Sequence, residues 1–362
     1  MVRSIDLFKT ELEVRGVSFY IFAPQYKGCV PEDRVFRFFS VPAPTNPGFT
    51  LAIPFSFRIG NTLKKLNLDL VHVHSPFLMG MLGARWARRL KIPLVFTHHT
   101  LYEEYVHYFP VLHKPARWVT RRHTVAFCNR SDLVLVPTGV IKEHLRDTGV
   151  TAPVEVLPTG VDLKAFKGGD REGFRRRYGI NPEERVLVYV GRLGKEKNVE
   201  FLLRALRHVS EQVQGTRLVL VGGGPQRREL FEVAKENGVE NRVVFTGPIP
   251  LDEVKDCYAA GDIFVIASVT ETQGLVIGEA KVAGLPVVAV RAKGVSEMVN
   301  DGIDGYLTPL DEKVFAERVC RLIKNPALYQ QLRAGALEKA GDLAASKSAE
   351  RLLECYNALV TR

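Results

Sequence analysis

Cysteine is sparse in this sequence. Five stand in 362 residues, Cys29, Cys128, Cys257, Cys320 and Cys355, and no two share C-x-x-C or other metal-ligand spacing. Scattered singles exclude a disulfide scaffold and a structural zinc module; they fit buried apolar use in a reducing compartment. No uninterrupted apolar run approaches the length of a membrane span. The opening Met-Val-Arg-Ser-Ile-Asp has no apolar h-region, so it is not expected to act as a secretory leader. Low-complexity tracts are missing. No nucleic-acid recognition motif occurs, so nucleic acid is not the expected partner of the basic charge.

What is present is an uneven charge. The net +10 resides almost wholly in the first half: residues 1–168 hold 22 Lys+Arg against 13 Asp+Glu, and the rest holds 28 against 27. The basic residues gather at Arg85, Arg88, Arg89 and Lys91, then at Lys114, Arg117, Arg121, Arg122 and Arg130. Leu78, Met79, Met81, Leu82, Trp86, Leu90, Trp118, Val119 and Val125 lie among them. Basic residues with Trp and Leu at helical spacing suit an anionic lipid surface. The plainer alternative is two helices covering a sheet with their arginines in water.

At this length two domains are the prior, and 46% hydrophobic residues can fill two cores. Short β-rich runs alternate with amphipathic stretches throughout. The spacing predicts strands at 18–23, 35–40, 70–74, 93–97, 133–137 and 154–157. A second set is predicted at 186–190, 217–221, 243–246, 263–266, 286–290 and 305–307. Alternation of this kind means α/β architecture with parallel sheets covered on both faces. The hinge is expected near Pro158-Thr159-Gly160-Val161-Asp162.

Two segments carry chemistry. Gly191-Arg192-Leu193-Gly194-Lys195-Glu196-Lys197-Asn198 follows the strand at 186–190 and opens the helical run 199–209. Two fixed positive charges on a glycine-flanked loop at a helix N-terminus hold a diphosphate without a metal. Arg192 can fork to two oxygens and Lys197 acts as a point charge. Farther on, Glu271 to Glu279 read E-T-Q-G-L-V-I-G-E, after the apolar run 262–268 and before a Gly284-Leu285-Pro286 break. Strand, glycine turn and helix follow one another there. The Thr272-Gln273-Gly274-Leu275 turn gathers backbone N–H groups at a helix N-terminus, where acceptors bind. One carboxylate can meet a hydroxylated group at the turn and the second another farther along, which suits a sugar nucleotide. Either segment alone reads as solvated surface; the combination reads as a site.

The combination G-R-L-x-x-x-K-N with E-x7-E resembles the large retaining glycosyltransferase family of GT-B fold. That family includes sucrose-phosphate synthases, phosphatidylinositol mannosyltransferases and glucosyldiacylglycerol synthases, and the resemblance covers essentially the whole chain. It implies two Rossmann-like domains facing across a cleft. Residues 1–165 would be the acceptor- and membrane-facing domain, 166–345 the nucleotide-sugar domain, and 346–362 a helix crossing back to the first. It implies a hexosyltransferase that needs neither metal nor cofactor. Arg192 and Lys197 would neutralise the leaving diphosphate. Glu271 and the amides of Thr272, Gln273, Gly274 and Leu275 would hold sugar hydroxyls, and Glu279 the ribose hydroxyls. Gly191, Gly223 and Gly247 would border the nucleotide.

Thr97-His98-His99-Thr100-Leu101-Tyr102-Glu103-Glu104-Tyr105-Val106-His107-Tyr108 particularly resembles the glucosyldiacylglycerol synthases, as does E-T-Q-G-L. His99 aligns best with a strand-end histidine that relatives place close to the transferred sugar; His98 is one residue out of phase. Gln273 replaces an aromatic residue common in the family and would put an amide near the donor sugar. The expected donor is UDP-glucose. The expected acceptor is a membrane lipid such as diacylglycerol, at the inner face of the plasma membrane and reached from the cytoplasm. A soluble sugar, sugar phosphate or inositol acceptor is the alternative. So is an inactive binding module. A sugar-nucleotide 2-epimerase would want several carboxylates and histidines around the sugar, and the paired motifs speak against it.

Relatives open with a strand, a glycine turn and then a helix. This sequence opens inside that order: residues 2–12 read as the first helix, apolar at Ile5, Phe8 and Leu12, and 19–23 as the second strand. The expectation is that a first strand, central between the strands at 19–23 and 70–74, is missing from the sheet.

Overall fold

The computed structural model describes residues 2–43, 46–53, 59–104 and 113–361. Tyr105 to Tyr108 of the histidine string lie outside the described residues, as does the Lys114 side chain. Two compact units form, Met1–Pro158 with Ser348–Arg362, and Thr159–Lys347. The chain divides at 158/159, inside the hinge stretch expected near Pro158 to Asp162 and seven residues before the 165/166 bound that the resemblance implied. The reason is local. Val161 N donates to Leu343 O at 2.7 Å, Ala345 N donates to Val161 O at 3.1 Å, and Phe166 is buried in the second unit's core.

The first unit holds β1 (Ile21–Pro24), β2 (Val35–Phe38), β3 (Ser40–Ala43), β4 (Asn46–Ala52), β5 (Val71–Val73), β6 (Leu94–Thr97), β7 (Leu133–Val136) and β8 (Val154–Val156). Strands β5-β6-β7-β8 form one parallel sheet, and β1 pairs β2 in a separate parallel ladder. Among the described residues no ladder joins β1 to β5. The Val2–Glu13 helix buries Phe8 and Leu12. With Ala349, Leu352 and Tyr356 of the Ala345–Val360 helix, these cover Val95, Leu133 and Leu135. An antiparallel hairpin, β3 with β4, was not expected. Pro42 and Pro47 argue against strand in the sequence, yet a two-stranded ribbon has edges on both sides and tolerates them.

The second unit holds β9 (Arg185–Val190), β10 (Thr216–Val221), β11 (Val243–Gly247), β12 (Ile263–Ile266), β13 (Val287–Val290) and β14 (Gly305–Thr308). All pair in parallel, in the order β11-β10-β9-β12-β13-β14. Its central strands are buried on both faces, as crossover helices require. The order reverses between β9 and β12. Ligands of open α/β sheets bind outside the carboxyl ends of the strands at such a switch point. Both sequence motifs leave their strands there. Of the cysteines, Cys128, Cys257 and Cys320 are buried and all five thiols are free.

Candidate active site

The loop after β9 is fastened by backbone contacts to its neighbours. Leu193 N donates to Gly223 O at 2.9 Å and Gln226 N donates to Leu193 O at 3.1 Å. Gly222 has φ +130°, and a Cβ there would stand 2.0 Å from Gly191 O, so only glycine permits the approach. Gly222 N donates to Gly247 O at 3.0 Å, which brings the ends of β10 and β11 into the same cluster. The backbone at Gly191, Gly223 and Gly247 is therefore gathered into one cluster. Gly222→Ala is expected to cost about 3 kcal/mol or more, from backbone strain plus displacement of the Arg192 loop. Urea unfolding and a nucleotide titration check this; an unchanged midpoint with full binding contradicts it.

From the other side, the end of β12 holds the same loop. Ser268 Oγ and Thr270 Oγ1 both donate to Glu196 O at 3.2 Å, and Asn198 Nδ2 donates to Ala267 O at 3.3 Å. Asn198 takes the left-handed conformation, φ 51°, that ends the loop and starts the Val199–Gln212 helix. Tyr189 Oη donates to Arg192 O at 3.0 Å from within β9. The result is a contact across 74 residues of sequence: Lys197 Nζ lies 2.5 Å from Glu271 Oε1, each side chain 17% exposed. An ammonium has three N–H donors and a carboxylate several acceptor sites. The pair can thus hold a phosphate oxygen and a hydroxyl at once.

The turn beyond Glu271 is also fixed. Gly294 N donates to Glu271 O at 3.0 Å, and Gly274, at φ 87°, opens the Leu275–Val282 helix. Neither glutamate is a solvated surface residue. Glu279 is buried, and its Oε2 accepts from the buried Tyr258 hydroxyl at 2.8 Å. The Gln273 side chain does not stand free for a donor sugar, contrary to the sequence expectation. Its Nε2 donates to Thr159 O at 2.8 Å and its Oε1 accepts from Thr159 N at 3.0 Å. What the turn offers a ligand from Gln273 is its backbone.

In the first unit, the carboxyl ends of β5 and β6 bring histidines together. His74 Nδ1 and His99 Nε2 are 2.8 Å apart, and the two rings stack. His72 lies against His74, with Nδ1 2.5 Å from Tyr356 Oη and Nε2 2.7 Å from Thr97 Oγ1. His98 points elsewhere. It is wholly buried against Phe96 and Tyr102, and neither ring nitrogen has a hydrogen-bond partner among the described residues. Burial holds all four imidazoles well below the usual 6.5, His98 at about 4. Neighbouring imidazoles add to this at His72 and His99. The histidine at site 99 is thus a neutral hydrogen-bonding group. His74 was missed from the sequence, though His72-x-His74 on the strand beside β6 was a readable signal.

The basic helices of the first unit carry exposed apolar residues among their arginines. Phe127 and Cys128 face the core from the His113–Cys128 helix, while Trp118 is 61% and Val119 55% exposed. Arg117, Arg121 and Arg122 are exposed beside them. On the Leu78–Leu90 helix, Leu78 and Met81 are exposed with Arg85, Arg88 and Arg89. No described helix is long and apolar enough to cross a membrane. Among the described residues no three His, Cys, Asp or Glu side chains gather in metal-holding geometry.

Lys197 and Glu271 meet at the switch point of one parallel α/β unit, and a second parallel α/β unit precedes it in the chain, an arrangement found in the GT-B class of glycosyltransferases. Likeness to solved structures gives the same fold. Sucrose-phosphate synthase from Thermosynechococcus elongatus matches with a TM-score of 0.81 at 22% identity, over 99% of this chain and 92% of that one. Anabaena HepE, solved in complex with UDP-glucose, matches with a TM-score of 0.74 at 23% identity, over 90% and 86%. Residues 170–339 match the family described as Glycosyl transferases group 1, and residues 1–165 match Glycosyltransferase Family 4. The alpha-monoglucosyldiacylglycerol synthase of Streptococcus pneumoniae is 30% identical over 364 residues, covering 98% of this chain and 81% of that protein. The chain belongs to the group 1 glycosyltransferases and is a hexosyltransferase.

Proposed function

We propose that this chain transfers glucose, with retention, from UDP-glucose to a membrane lipid such as diacylglycerol, at an anionic cytoplasmic membrane face. The observation that carries the donor half is the Lys197–Glu271 contact at the switch point, beside Arg192 and the Gly191, Gly223 and Gly247 cluster. Arg192 and Lys197 neutralise the diphosphate as the glycosidic C1–O bond breaks, supplying preorganised charge where it develops. Glu271 and the turn amides hold the glucose hydroxyls; Glu279 serves the ribose side. The acceptor hydroxyl attacks C1 from the face the diphosphate leaves, and its proton passes to the leaving group. His99, neutral, orients a hydroxyl. The UDP-glucose complex of the Anabaena protein and the diacylglycerol named in the pneumococcal relative support this choice of donor and acceptor.

Exposed Trp118, Val119, Leu78 and Met81 among arginines support the lipid half. Each Lys or Arg near an anionic surface contributes about 1 kcal/mol, screened as salt rises. Replacing Arg85, Arg88 and Arg89 with Ser is therefore expected to weaken binding to anionic vesicles by about two decades. Nucleotide binding should be unchanged. Co-sedimentation measures it; wild-type sedimentation of the triple variant removes the membrane-surface reading of these arginines, and full transfer to a soluble sugar without vesicles removes the lipid acceptor.

A further inference from the structure

Gln273 stands within the donor turn, yet its side chain takes no part in the donor chemistry. Only 4% exposed, it pairs both polar groups of its amide with one residue's peptide groups, as a strand residue does across an antiparallel ladder. That residue, Thr159, is the first of the second unit, directly after the point where the chain leaves the first. Two residues on, Val161 bonds Leu343 and Ala345, the segment just before the chain returns to the first unit. The helix that follows the turn reaches the same place. A Cβ on Gly278 would stand 2.8 Å from Val161 Cγ2 and 3.1 Å from Leu343 Cδ1. The turn is therefore attached to the outgoing crossing twice, by the Gln273 amide and by the close approach at Gly278.

Resting on the donor assignment above, we infer that Gln273 is a positioning residue that couples occupancy of the 271–275 turn to the backbone at 159–161. When a donor fixes the turn amides, the Gln273 side chain has fewer ways to leave Thr159, and the crossing stiffens with it. A phenylalanine at this position has neither donor nor acceptor for Thr159 and would leave the turn attached to the crossing only by the close approach at Gly278. A merely structural Gln273 would protect Thr159 equally with and without donor.

Hydrogen exchange on the full chain, with and without UDP-glucose, tests this in wild type, Gln273→Leu and Gln273→Glu. The wild type is expected to show about tenfold slower exchange at 159–161 on adding UDP-glucose, the scale of one hydrogen bond held longer, together with protection at 191–198. Gln273→Leu, read at donor concentrations that saturate the protection at 191–198, is expected to lose the response at 159–161. Gln273→Glu keeps an acceptor for Thr159 N but sets a carboxylate against Thr159 O; it is expected to lose most of the response, and it decides the matter if the leucine variant does not fold. Donor-dependent protection at 159–161 that persists in the variant, or is lacking in a wild type that protects 191–198, overturns the coupling. A wild type with no protection at 191–198 instead overturns the donor assignment.

Discussion

Lys197→Ala is expected to lower kcat by about 10²-fold or more, the scale of removing one preorganised group from a developing charge. Arg192→Ala is expected to do the same. Lys197 is paired with Glu271 at 2.5 Å in a partly buried site. Deleting the lysine therefore also leaves a carboxylate without its cation. Two effects are mixed in the single variant, and a double-variant cycle separates them. Glu271→Gln combined with Lys197→Ala should recover about 1 kcal/mol of the lost stability, because neither charge is then left alone. Activity should not recover, because the diphosphate still lacks its cation. Urea midpoints and kcat on the same four proteins give both readings. Normal turnover in Arg192→Ala and Lys197→Ala would remove the diphosphate assignment.

Mild acid is expected to loosen the first unit while the second holds. His72, His74, His98 and His99 stay neutral when folded, with His98 depressed to about 4 by burial. The unfolded chain takes up these protons near the ordinary 6.5. Stability is thus complete above that pH and is lost as pH falls from 6.5 toward 4, since the unfolded state binds more protons. One unmatched proton is worth about 1.4 kcal/mol per pH unit, so four could remove about 4 kcal/mol by pH 5.5. That compares with about 5–15 kcal/mol for a whole domain. Eight of the nine histidines belong to residues 1–158; only His208 lies in the second unit. Exchange protection at pH 7 and pH 5.5 should fall in peptides from 71–157 before those from 185–308. His98→Leu should raise stability at pH 5.5 and flatten the slope by about one proton, since it removes a buried imidazole with no hydrogen-bond partner. Equal loss in both units, or none, contradicts this.

The placement of the two motifs was legible because each follows a β-branched strand and opens a helix through a glycine turn. Arg192 and Lys197 must sit on a strand-to-helix loop, and Glu271 on the next loop across the switch point. Most strand positions were legible for the same reason, each a short β-branched run between turns. Side-chain destinations were not. Nothing in E-T-Q-G-L tells that Gln273 turns to a peptide 114 residues earlier, or that Tyr258 holds Glu279. Both follow from the stacking of strand ends, which sequence period does not encode. The β3–β4 hairpin was hidden by Pro42 and Pro47, whose local rule yields in a two-stranded ribbon. The units divide at 158/159, inside the hinge stretch Pro158-Thr159-Gly160-Val161-Asp162, and two backbone bonds of Val161 tie the residues that follow to the second unit.

The proposed reaction is transfer of glucose from UDP-glucose to a lipid at a site whose cations take the place of a metal. The direct measurement supplies UDP-glucose labelled in the sugar and diacylglycerol in anionic vesicles, with EDTA present. The expected product is a labelled α-glucosyldiacylglycerol, formed at the same rate with and without chelator and reduced about 10²-fold or more by Lys197→Ala. A product of β configuration, a rate restored only by added Mg²⁺, or label found only in a water-soluble sugar would contradict it.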